Sequence, residues 1–240
     1  MRTIDELFLI AAPTFRTRAY VQRMTGEGIV PARAFLMPGK EPEWDGAHSL
    51  DLDLREDGRC FRFKPGTAAV DTLEAHGVPC ETLSDCNIND TRVVDVLSSA
   101  DADVFLYSGV GANLLEPATL NCGKRFLHAH GGFVPHFRGS TAFYYSLISE
   151  GNIGASVIWL QKGIDTGAIL ARRKYKPIEG EEIDRVLDPA VRADLLVEVL
   201  HQRLETGAFP AGDYDNEDSE TFFIIHPVLK HIALKRCRLI

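Results

Sequence analysis

The sequence contains no run approaching the ~20 apolar residues that a membrane helix needs. The apolar run 7–12 near the start is too short for a secretory core and follows Asp5 and Glu6. The expectation is a cytoplasmic chain with no membrane partner. Paired cysteines are missing as well. Cys60, Cys80, Cys86, Cys122 and Cys237 form an odd set without a CxxC spacing, which argues against a disulfide framework and against a thiolate metal site. Buried, reduced thiols remain. There is no basic excess either: 26 Lys and Arg face 34 Asp and Glu, a net charge of −8. Such a chain is not drawn wholesale to nucleic acid. Repeats are absent, so 240 residues with 45% hydrophobic content read as one α/β domain with an extension.

What is present is an alternation of strand and helix signals. The continuous apolar run 7–12 predicts a strand buried on both faces, followed by a helix capped by Thr14 and closed at Gly28. Residues 29–37 predict a second strand. The stretch 38–65, rich in Gly and Pro, predicts a surface loop or a short hairpin. A helix over 67–76, a strand over 78–83, a helix capped by Asn89 and a strand over 104–107 follow. Further strands are expected at 125–129, 153–160 and 169–175, with helices at 141–150 and 182–206, the second with a break allowed at Pro189. Residues 213–220 read as an acidic linker and 222–240 as an apolar, then basic, tail. The fold class is therefore a doubly wound, mostly parallel Rossmann-like sheet. It divides into a catalytic domain 1–206 and a C-terminal extension 207–240. Ligands of such sheets sit beyond the carboxyl ends of the strands, which directs attention to the loops there.

Two loops carry unusual chemistry. His128 and His130 lie two apart at a strand end, on one side of it if the strand persists, and Gly131-Gly132 follows. Downstream, Gly163-Ile164-Asp165-Thr166-Gly167 offers a carboxylate between two glycines. Histidine titrates near ~6.5, so His with Asp in a crevice is the minimum set for general acid–base work. The same three residues also suit a metal, but no further ligand cluster is evident and none is expected.

The chain resembles the formyl-tetrahydrofolate-dependent formyltransferases: the glycinamide ribonucleotide, methionyl-tRNA and sugar amine enzymes. That family carries Asn-x-His, a proline five residues after the histidine, and then Arg-Gly. Here His130, Pro135 and Arg138-Gly139 keep that spacing, and Asp165 falls in the family's glycine-flanked aspartate loop. Ser108, Gly109, Val110 and Gly111, with Leu115, resemble the loop that holds the pterin-like ring, with Ile164 beside it. The resemblance runs in order over residues 6–175. Two departures stand out: His128 occupies the family's Asn position, and Ile158 stands where many members have a histidine.

The resemblance implies N10-formyl-tetrahydrofolate as co-substrate and a small amine as acceptor. His130 and His128 would stabilise the oxyanion, Asp165 would take the amine proton, and Arg138 would hold the acceptor. Asn normally donates an N–H to the oxyanion, and an imidazole N–H at His128 is expected to replace it. Losing such a donor costs about 10²–10³ in rate. The stretch 176–240 is short for the tRNA-gripping domain of the methionyl-tRNA enzymes, which turns the expectation toward an amino sugar on a nucleotide carrier. The alternatives are a hydrolase on this fold, with water activated at His128 and His130, and an inactive folate-binding relative. The apolar tail is the candidate surface for a homodimer.

Overall fold

Leu7 and Leu9 are buried in one layer of core, while their neighbours Phe8 and Ile10 are buried in another. A strand whose alternate residues both meet helices must be apolar throughout, which explains the unbroken run. The structure, a computed structural model, describes all residues except Glu56, Gly58, Gly111, Ala112, 215–219 and Ile240.

The elements run β1 (Arg2–Ala11), α1 (Phe15–Gly26), β2 (Ile29–Leu36), β3 (Leu50–Asp53), β4 (Cys60–Phe63), α2 (Ala69–Ala75), β5 (Cys80–Thr82), α3 (Thr91–Ser99), β6 (Val104–Ser108), α4 (Pro117–Leu120) and β7 (Arg125–His130). They continue with β8 (Arg138–Gly139), α5 (Ala142–Glu150), β9 (Ile153–Trp159), β10 (Ile169–Tyr175), a π turn (Ile183–Leu187), α6 (Asp188–Thr206), β11 (Thr221–Phe222) and α7 (Pro227–Arg236). The main sheet has the order β10-β9-β7-β6-β1-β2-β5. Strands β5, β2, β1, β6 and β7 are parallel, and β9 is antiparallel to both β7 and β10. The order reverses between β1 and β6, which is where a crevice opens in sheets of this type.

Local signals account for most of these elements. Thr14 caps α1 by accepting the Thr17 N–H at 3.1 Å. The 38–65 stretch contains the antiparallel β3–β4 hairpin. Two expectations are corrected. The cap of α3 is Asp90, not Asn89; Asn89 instead donates to the Leu114 carbonyl and accepts from Glu116 N–H, tying down the segment after β6. Pro189 does not break a helix, because it sits in the first turn of α6, where no intrahelical N–H bond is required. The tail expected at 222–240 contains α7, capped by His226, which packs on α5. Among the described residues, no helix is long and apolar enough to cross a membrane.

Candidate active site

Strand β7 persists through His130, so His128 and His130 share the face that carries Phe126. The next strand, β9, runs the other way, and Leu160 at its far end donates its N–H to the Phe126 carbonyl at 2.8 Å. The loop after β9 therefore leaves beside the start of β7, not at the carboxyl end of a parallel strand. It folds back to bring Asp165 to His130.

One ring nitrogen of each histidine and one carboxylate oxygen of Asp165 lie within 4.8 Å of one another. His130 is 5% exposed; its Nε2–H donates to the Phe137 carbonyl at 2.9 Å, and its Nδ1 faces Asp165 Oδ2 at 3.3 Å. With Nε2 committed as a donor, a proton between Nδ1 and the carboxylate is what makes that contact favourable. Asp165 also accepts the Gly139 N–H at 2.9 Å and sits at φ 50°, a left-handed conformation that Asp tolerates better than most residues. Burial pushes the Asp165 carboxyl up, but His130, His128, the Gly139 N–H and Arg192 together hold it below its ordinary value.

His128 departs from its expected role. Its Nδ1–H donates to the Tyr107 carbonyl at 3.1 Å, so in the neutral ring Nε2 is left as an acceptor. Burial, and then the charges of Arg16 and Arg192, lower its pKa to about 3. The imidazole is neutral at physiological pH and accepts hydrogen bonds; it is neither the N–H donor nor the cation that the sequence reading considered.

The remaining predicted residues are distributed as follows. Ser108 is fully buried and its hydroxyl is held by Thr17 Oγ1 at 2.8 Å and Arg16 Nε at 3.3 Å, so that side chain supports the loop. Arg16 also donates to the Gly109 carbonyl. Val110 is exposed, Leu115 packs on the core beside β6, Ile164 is half-buried next to Asp165, and Gly111 lies outside the described residues. Arg138 is half-buried, and its Nε has no hydrogen-bond partner among the described residues.

Three supports were not foreseen. Arg192 donates to the Ala129 carbonyl at 3.1 Å and pairs with Asp188 at 2.6 Å, while Tyr20 donates to the same carbonyl at 3.0 Å. A Cβ on Gly131 would collide with that Arg192–Asp188 pair and with Phe143. Ser156, buried on β9, accepts the Val134 N–H and donates to the Gly132 carbonyl, stapling the loop after His130. On helices and strands such residues read as solvated or core positions, so only their partners reveal the role. A cavity of about 570 Å³ lined by Leu54, Arg55, Arg173 and Tyr175 lies elsewhere and includes none of the three central residues.

The model of the family described as Formyl transferase matches residues 61–199, more than half of the chain and including both loops. The chain belongs to this family. Among its relatives is a methionyl-tRNA formyltransferase from Synechococcus sp. (strain JA-3-3Ab), 32% identical over 158 residues that cover 64% of this chain and 48% of the relative. Another, from Finegoldia magna, is 28% identical over 123 residues, 51% of this chain and 39% of that one. The chain thus spans about half the length of the curated relatives it matches. Among solved structures, a sugar N-formyltransferase from Shewanella sp. FDAARGOS_354 has a TM-score of 0.58 at 14% identity, covering 96% of this chain and 87% of that one. A phosphoribosylglycinamide formyltransferase from Bacillus halodurans has a TM-score of 0.57 at 18% identity, covering 86% and 97%. At those identities the likeness is one of fold, and it agrees with the doubly wound, mostly parallel sheet expected from the sequence.

Proposed function

We propose that this formyl transferase family member moves the formyl group of N10-formyl-tetrahydrofolate to the nitrogen of a small amine. The observation that carries this reading is the buried contact between His130, at the carboxyl end of β7, and Asp165. The neutral amine attacks the formyl carbon, and the carbonyl oxygen becomes an oxyanion. Arg16 and Arg192, the charges that depress His128, supply the positive potential that favours this oxyanion. Asp165, held ionised, accepts the amine proton. The carbon–N10 bond then breaks and the proton passes to N10, giving a formamide and tetrahydrofolate. His128 Nε2 accepts a hydrogen bond from the incoming amine and orients it. Three ligands are the protein set of a catalytic zinc. Two neighbouring guanidiniums oppose a cation there, so we read the group as a proton-transfer site.

Arg138 supports an acceptor bearing an anionic group, since a half-buried guanidinium with an unpartnered Nε fits a phosphate or carboxylate. An amino sugar on a nucleotide carrier combines the amine with such an anion, and it is the acceptor class we favour. Calorimetry with a stable formyl-folate analogue tests the donor: micromolar binding is expected, and its complete absence would sink the reading.

The pKa of His128 gives a second expectation. A group neutral above about pH 4 has no titration between about pH 6 and 8, the range around histidine's ordinary value. The pH profiles of wild type and His128→Asn should therefore have the same shape over that range. A step present in the wild type and absent from the variant would show that His128 changes charge during turnover.

A further inference from the structure

We infer that Phe222, in the chain's C-terminal extension, is a positioning residue for the Asp165–His130 pair. Strand β11 lies parallel to β8, with Thr221 opposite Arg138 and Phe222 opposite Gly139. The two form a sheet of their own, so among the described residues β8 has no other strand neighbour. The Ser140 N–H donates to the Phe222 carbonyl at 2.9 Å. The Phe222 ring stacks on Tyr145 at 4.4 Å and on Phe137 at 5.8 Å. Just beyond, Ile225 N–H donates to Thr141 Oγ1 at 2.9 Å and Tyr145 Oη–H to the Phe223 carbonyl at 3.2 Å.

These contacts fall on the two groups that hold the pair. The Phe137 carbonyl fixes His130, and the Gly139 N–H fixes Asp165. Gly139 has φ 93°, and a Cβ there would strike the Phe222 carbonyl, so the close approach requires glycine. Phe222 therefore braces both supports at once, although it is 57 residues beyond Asp165 in sequence (222 − 165). No acceptor or donor contact is assigned to Phe222; it acts through Phe137 and Gly139.

The full-length protein, labelled with ¹³C at aspartate carboxyls, tests this directly. The Asp165 resonance is assigned by its loss in Asp165→Asn. The titratable and charged groups facing that carboxylate are His130 and His128 from β7 and Arg192 from α6. None of these is substituted in the test variants, so a change reports the two supports that Phe222 braces, the Gly139 contact and the seating of His130. Phe222→Ala should raise the Asp165 midpoint by about one pH unit, the order expected for weakening one hydrogen bond to a charged group. Phe222→Tyr, which keeps the stacking, should restore it, and Val228→Ala on the exposed face of α7 should leave it unmoved. Thr141→Ala removes the hydroxyl contacts together with the methyl group and should shift the midpoint in the same direction, with Thr141→Ser, which keeps the hydroxyl, restoring it; it serves if Phe222→Ala does not fold. An unchanged Asp165 midpoint in the folded Phe222→Ala or Thr141→Ala protein would overturn the inference. The kinetic consequence rests on the formyl-transfer reading: kcat falls, KM for the formyl donor holds, and the acid limb moves to higher pH. A wild type that binds no formyl-folate analogue defeats that reading alone, because the titration still decides the role of Phe222.

Discussion

Replacing Asp165 by Asn is expected to lower formyl transfer by about 10² or more, the usual scale for removing a general base. The melting temperature should move by only about 2–4 °C, the change that ~1 kcal/mol makes in a domain of this size. Asparagine is nearly isosteric, tolerates the left-handed backbone at φ 50°, and its carbonyl oxygen can still accept the Gly139 N–H. What disappears is the negative charge facing His130. The pair can then no longer take a proton from the amine, and the imidazolium form of His130 loses its counter-charge. The carboxyl is held below its ordinary value in the folded protein, so its ionisation stabilises the fold above the unfolded-state pKa. That contribution is lost as pH falls through the lower, folded value. Wild type should therefore lose this increment of stability only in acid, and the variant should lack it at neutral pH. A variant retaining most of its turnover would remove Asp165 from the mechanism; one that fails to fold would make it a structural residue.

The largest effect on stability is expected at Asp194, away from the chemistry. This carboxylate is 1% exposed and accepts from Arg23 at 3.1 Å, Arg55 at 2.6 Å and Tyr175 at 3.0 Å. Through these contacts it joins α1, the segment between β3 and β4, and β10 to α6. Asp194→Ala leaves Arg23 and Arg55 without that shared partner, and breaking a buried pair in this way costs about 3–5 kcal/mol. The expected fall in melting temperature is on the order of 10 °C. Arg55→Ala should cost distinctly less, because Arg55 is partly exposed and its removal leaves Asp194 with Arg23 and Tyr175. Equal losses from the two substitutions, measured by thermal unfolding, would show that the buried carboxylate has no special weight.

The boundaries of β10 coincide with those read from the sequence, where Gly167 precedes the strand and Pro177 follows it. The cap of α1 was equally legible, since Thr14 acts on the turn immediately after it. Asn89 and Asp90 show the limit of local reading: both are good caps, and the choice fell to Asp90 because a distant segment claims Asn89. The site divides in the same way. His130 and Asp165 were visible as residue types in glycine loops, yet their contact exists only because the loop after an antiparallel strand folds back across the sheet. The state of His128 was beyond the sequence. Its neutrality comes from burial and from Arg16 and Arg192 on two different helices, which outweigh the opposing pull of Asp165 and of the Tyr107 carbonyl on the neighbouring strand.

By itself, then, the sequence determined the alternation of elements, the doubly wound class and the two loops to which we assign the chemistry. These depend on spacing, side-chain type and glycine, all of which act within a few residues. Only the tertiary structure decided which nitrogen of each histidine is committed, which charges surround Asp165, and that Phe222 braces the loop holding it. Those properties are set by groups far apart in the chain, and electrostatic and packing energies depend on distance in space, which periodicity does not encode.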